Sequence, residues 1–187
     1  MTPLLGAFIK EPKGVSFDGQ DNAEQILLFL RQHYIVNLRW VLITALLIFS
    51  RPMLDFLLGL GNTSLAQILP PNYHLVANIL MSLFTFGYFF TNFLNWYFNS
   101  YLVTNKRVVD IDFYGLIHRR FSEAPLRNIE DVTNQISGFA QVIFHFGDVS
   151  IQTAGELREI TFENVPNPDR VQDTVSDLIS KIKGESE

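Results

Sequence analysis

The chain has 187 residues, 48% of them hydrophobic and 18% charged, with 14 Lys or Arg against 19 Asp or Glu and a formal charge of −5. That balance, with no dense basic cluster to displace counterions from phosphate backbones, excludes nucleic acid as an expected partner. Cysteine is absent, which removes disulfides, thiolate metal sites and a thiol nucleophile together.

A mean hydropathy of +0.16 hides a sharp division: residues 40–99 hold one Arg and one Asp, whereas residues 100–187 hold nine Lys or Arg and fourteen Asp or Glu. Three parts follow: an N-terminal segment over 1–34, an apolar stretch over 35–99 and a water-compatible domain over 100–187. The last is long enough for one small core.

The N-terminus, MTPLLGAFIKEPKG, has no basic region followed by an apolar stretch and cleavage site, so it does not read as a signal peptide. Residues 21–34 (DNAEQILLFLRQHY) predict a helix, with an N-cap at Asp21 or Asn22 and Glu24 in the first turn. Its apolar Ile26, Leu27, Phe29 and Leu30 would lie on the cytoplasmic membrane face as an amphipathic juxtamembrane helix.

A first membrane span is expected over about residues 36–58 and is interrupted by Arg51, Pro52 and Asp55. Arg51 and Asp55 stand on one helical face, where the two charges neutralise each other. Proline costs one backbone hydrogen bond, so the segment either kinks and continues or ends near Ser50 and restarts along the surface. Residues 61–74 (GNTSLAQILPPNYH) carry the punctuation of a loop. The second span, LVANILMSLFTFGYFFTNFLNWY over residues 75–97, would be about 34 Å long as a helix, enough to cross a hydrocarbon core of about 30 Å.

Polar residues recur at seven-residue spacing, Asn37, Thr44 and Arg51 in the first span and Asn78, Thr85, Asn92 and Asn99 in the second, with Ser82 on the same face. Such stripes read either as helix-packing faces or as a polar path for ions or protons, in which only Arg51 and Asp55 could carry charge. Arg31, His33 and Arg39 precede the first span and Lys106, Arg107, Arg119 and Arg120 follow the second, while the intervening loop has no Lys or Arg. The positive-inside rule then places both termini in the cytoplasm and the protein in the inner membrane.

After Asn99 the period changes. Residues 101–104, 107–111, 116–121, 129–132, 141–146, 148–152 and 159–163 read as seven short strands separated by turn signals. From Asp169, apolar Val171, Val175, Leu178, Ile179 and Ile182 recur at helical spacing. The fold expected is α+β: a two-helix transmembrane hairpin, then a seven-stranded barrel or sandwich capped by a C-terminal helix.

Residues 101–109 (YLVTNKRVV), 115–120 (GLIHRR), 125–132 (PLRNIEDV), 147–151 (GDVSI) and 162–168 (FENVPNP), with 26–33 (ILLFLRQH) upstream, carry a resemblance. In their order and spacing the chain resembles the bacterial PH-like domain proteins with two N-terminal membrane helices, over roughly residues 20–183. The resemblance implies a membrane-tethered PH-like scaffold for peptides, proteins or lipids, with no catalytic residues to carry over.

His33, His74, His118 and His145 form no metal-ligand spacing, no glycine run cradles phosphate, and Ser122, Ser137 and Ser150 lack a nucleophile signature. No catalysis, metal or cofactor is therefore expected. Asp110 and Asp112 alternate on one strand and read either as a cation site or as a solvated β face. Lys106, Arg107, Arg119 and Arg120 form the basic cluster, which reads as lipid-headgroup contact or as plain topology-fixing charge. The partners expected are membrane lipids and a protein partner or a second copy of the chain. The function expected is a non-catalytic interaction or assembly module. A headgroup reader, or an accessory component of a transport or envelope-stress system, is the alternative.

Overall fold

A computed structural model describes residues 6–12, 14–61, 70–114, 118–154 and 159–184. The chain divides into two compact units, residues 1–36 with 95–187, and residues 37–94. The N-terminal segment thus belongs to the same unit as the C-terminal domain.

The unit of residues 37–94 is built from two helices. α1 (Asn37–Leu60) passes through Pro52 without ending, and α2 (Pro71–Phe98) starts within the stretch expected as loop. Residues 62–69 of that loop lie outside the described residues. Both helices are long and apolar enough to cross a membrane, and almost none of either is buried within the chain. Trp40 and Phe89 meet edge to face at 5.5 Å between the helices.

The other unit holds two antiparallel sheets. β1 (Phe8–Lys10), β2 (Ile26–Leu30), β3 (Ser100–Thr104), β4 (Arg107–Tyr114) and β5 (His118–Pro125) form the first, in that order. β6 (Ile129–Gln135), β7 (Phe146–Thr153) and β8 (Ile160–Pro166) form the second. A short helix, α3 (Phe139–Phe144), lies between β6 and β7, and α4 (Pro168–Gly184) follows β8. Leu28 and Leu30, Tyr101 and Val103, Val108, Ile151 and Phe162 form the core between the sheets. Val171, Val175 and Ile179 of α4 are buried in the same core, at the spacing that keeps side chains on one helical face. Asp169 in its first turn and Lys181 and Lys183 in its last match the helix dipole.

Two expected elements change type. Residues 26–30 are strand β2, not an amphipathic helix; β2 pairs with β1 and with β3. The run ILLFL has apolar side chains on both faces, as a strand covered on both sides requires. Leu28 and Leu30 enter the main core, while Ile26 joins Leu102, Val109 and Ile111, packed against by Val15, Phe17 and Phe29 on the other face. The expected strand over 141–146 is instead helix α3, ended by His145 in the left-handed conformation at φ 53°. Directly after it, a Cβ on Gly147 would lie 2.4 Å from the Gln135 carbonyl oxygen, so only glycine admits the close β6–β7 approach there. Of the β5 motif, residues 115–117 lie outside the described residues, as does Gly155.

Candidate functional site

The four basic residues do not form one cluster. Arg107 opens β4 opposite Pro125, whereas Asp112 pairs with Arg120 and Phe113 with Arg119. Five residues of strand, roughly 17 Å, separate the two pairs of cations.

Lys106 and Arg107 are engaged by the N-terminal segment. Arg107 donates from Nε to Glu24 Oε1 at 3.0 Å, from Nη2 to Glu24 Oε2 at 2.9 Å and to the Gly19 carbonyl at 2.7 Å, and from Nη1 to Glu123 Oε2 at 2.6 Å. The Glu24 side chain is wholly buried. Thr104, also buried, donates to Glu24 Oε1 at 2.7 Å and accepts from the Lys106 and Arg107 amides at 3.1 and 3.0 Å. Burial raises the Glu24 pKa, but the hydrogen bonds from Arg107, Thr104 and the Asp21 amide outweigh it and hold the carboxyl at about 2. The hydrogen bond to Glu24, with the charges of Glu24 and Glu123, pushes Arg107 above its usual value. Lys106 Nζ reaches Asp21 Oδ2 at 2.7 Å on the surface. Sequence reasoning missed this network because Glu24 and Arg107 stand 83 positions apart.

Arg119 and Arg120 lie on opposite faces of β5. The Arg119 guanidinium stands 5.9 Å from the Phe113 and Phe121 ring centres, and both arginines are exposed. Arg120 lines a cleft of about 470 Å³ with Asp110, Asp112, Ser122, Thr161 and Glu163. β5 and β8, edge strands of their sheets, supply its walls. Asp110 is not on a solvated face: it follows Val108 on the core side of β4, is 8% exposed, and its Oδ1 has no hydrogen-bond partner among the described residues. Burial first, then the neighbouring Asp112 carboxylate, pushes Asp110 up to about 7, with Arg120 pulling the other way. Burial and Asp112 also raise Glu163.

α3 presents Phe139, Val142, Ile143 and Phe144 as exposed side chains. It is linked to His33 through Asn164 and Phe146. Gln141 Nε2 reaches Asn164 Oδ1 at 3.5 Å, Asn164 O accepts from the His33 amide at 2.7 Å, and Phe146 stacks on His33 at 4.9 Å. Tyr34 and Trp96 meet beside them, their ring centres 5.7 Å apart.

Within the helical unit, Thr44, Arg51, Asn78, Ser82 and Thr85 line one largely apolar crevice of about 520 Å³. Thr44 and Thr85 each bond the carbonyl four residues back, as Asn92 does. Asn37 accepts from Trp40 Nε1. Arg51 meets Asp55 at 3.7 Å, His74 at 3.0 Å and the Asn78 side-chain oxygen. Asn99 leaves the stripe: it lies after α2, and its Oδ1 accepts from the Phe113 amide in the domain. Among the described residues no group of three or more His, Cys, Asp or Glu is arranged to hold a metal.

The family model for the bacterial PH domain matches residues 35–179. The chain belongs to the bacterial PH domain family. That match covers both helices and, in the bacterial PH domain unit, everything from β3 to Ile179 within α4, leaving out the two N-terminal strands and the last turn of α4. Among solved structures, a DUF1696-family protein with a pleckstrin-homology domain from Shewanella loihica PV-4 is similar, at 17% identity and a TM-score of 0.35, covering 43% of this chain and 70% of that one. No curated protein shows significant similarity to the chain. PH domains are binding modules, and that coarse role, binding or interaction, is the one family membership supports.

Proposed function

We propose that two membrane spans anchor this bacterial PH domain as a non-catalytic interaction and assembly module on the cytoplasmic face of the inner membrane. The anchor reading is supported by the surfaces of α1 and α2, where Leu42, Leu46, Phe49 and Phe56, and Leu80, Leu83, Phe84 and Phe86, are exposed. Apolar surface of that extent suits lipid and would aggregate in water. The exposed apolar face of α3 is of the kind that suits a bilayer interface.

The separation of the cations carries the choice of an interaction module over a headgroup reader. A phosphate headgroup needs converging donors. Arg107 already spends its donors on Glu24, Glu123 and Gly19, and Arg120 faces carboxylates. Arg119 is left as a single outward guanidinium. Hydrogen exchange of the full chain in bilayers of graded anionic lipid content, alongside an Arg119→Glu/Arg120→Glu variant, tests this. The expected result is protection in β4 and β5 that does not depend on lipid charge and is the same in the variant. Saturable protection by one anionic lipid, lost in the variant, would establish a headgroup reader instead.

A further inference from the structure

The two sheets part at one corner, and the core residues there give way to acids. On β4 the inward series runs Val108, Asp110, Asp112, and on β5 it runs Ala124, Ser122, Arg120. Carboxylates therefore gather where an apolar core would otherwise continue, and Arg120, the one cation lining the cleft among the described residues, leaves Asp110 Oδ1 without a donor. An unpartnered buried carboxylate oxygen is costly, and a hydrogen-bond donor brought by a ligand would satisfy it. A volume of about 470 Å³ falls within the roughly 300–1,000 Å³ of small-ligand sites.

We propose that the cleft between β5 and β8 binds an organic cation, the guanidinium or ammonium of an Arg or Lys side chain on an extended peptide, with Asp110 as its principal acceptor. The charge of the lining selects a cation, and the unpartnered Asp110 Oδ1 is an acceptor for an N–H donor. Ile160 and Ala124, which also line the cleft, suit the methylene stem of such a side chain. Among the described residues the walls are edge strands of their sheets, and an edge strand takes an extended peptide by strand addition. This deepens the interaction-module reading and rests on it for the peptide, while the cleft itself is independent of the anchor.

The groups facing Asp110 are Tyr101 on β3, Asp112 on β4, Arg120 on β5 and Glu163 on β8, while Glu159 and Glu123, the latter paired with Arg107, also line the cleft. Because Asp110 is pushed up to about 7, the acceptor is lost progressively as pH falls from about 8 to about 6, and affinity falls with it.

The test is calorimetric titration of the full chain in bilayer discs with blocked Val-Arg-Val tripeptide, its Val-Gln-Val counterpart, spermidine and MgCl2. The expected result is saturable binding of the Arg peptide, none of the Gln peptide, and a loss of about tenfold or more in Asp110→Asn. Arg120→Gln removes the cleft's own cation and should tighten binding, so a misfolded Asp110→Asn protein does not leave the matter open. Binding of spermidine but not of the peptide supports the ammonium site and assigns its source to a free polyamine. Equal binding of the Arg and Gln peptides, an unchanged affinity in both variants, or a response to MgCl2 alone overturns the proposal. None of these probes carries a lipid headgroup, so failure here leaves the choice between module and headgroup reader to the bilayer experiment.

Discussion

Arg107 ties two other stretches of chain to β4 through one guanidinium: Gly19 and Glu24 upstream, and Glu123 on β5. Glu24 is buried, and removing one partner of a buried ion pair leaves the other uncompensated, so Glu24→Gln should lower stability by about 3 kcal/mol. The pH dependence has a defined sign. A carboxyl held at about 2 against 4.5 in the unfolded chain contributes stability that is present above pH 4.5 and lost as pH falls towards 2. Acid titration of the unfolding midpoint should show this slope in the native chain and a weaker one in Glu24→Gln; equal slopes would remove Glu24 from the account. From sequence alone Lys106 and Arg107 read as neighbours of Arg119 and Arg120. Strand register, which residue order does not contain, is what separates them. The solvated-face reading of Asp110 fails for a related reason: VVDID alternates correctly, but period 2 does not say which face is covered.

At the scale of elements, short apolar runs are the ambiguous ones. ILLFL over residues 26–30 and QVIFHF over 141–146 each fit a buried strand or a helical turn by periodicity, and each takes the other form from the one expected. For β2 the decision comes from β3, more than 70 residues downstream, which offers the pairing edge. For α3 it comes from the turn at Gly138 and the left-handed His145, which leave six residues between strands with no partner to pair with. The two apolar helices, free of such competition, are legible from charge depletion alone, and the apolar positions of α4 from their spacing. Leu30 is fully buried, so Leu30→Ala should destabilise the domain by about 3 kcal/mol. A residue on a surface helix would cost well under that, and denaturant unfolding separates the two. A bimane label at Phe139→Cys, in a chain with no other cysteine, should be quenched by brominated lipids. Water-like emission without quenching would show that the α3 face meets something other than the bilayer.

At the scale of the molecule, a domain completed from both sides of the helical hairpin changes what a fragment means. A fragment beginning at residue 100 would omit Leu28 and Leu30 and expose the edge of β3, so binding and stability are properties of the full chain. The bacterial PH domain and its two apolar helices are then parts of one design, in which the chain leaves the domain at residue 36 and rejoins it at residue 95. The central claim is that this hairpin crosses the membrane and leaves the domain in the cytoplasm. The absence of native cysteine makes the direct measurement clean: Gly61→Cys and Lys181→Cys variants in intact cells, treated with a membrane-impermeant maleimide before and after permeabilisation. Gly61→Cys should be labelled from outside and Lys181→Cys only after permeabilisation. Labelling of both only after permeabilisation, with the protein released by alkaline carbonate, would contradict it.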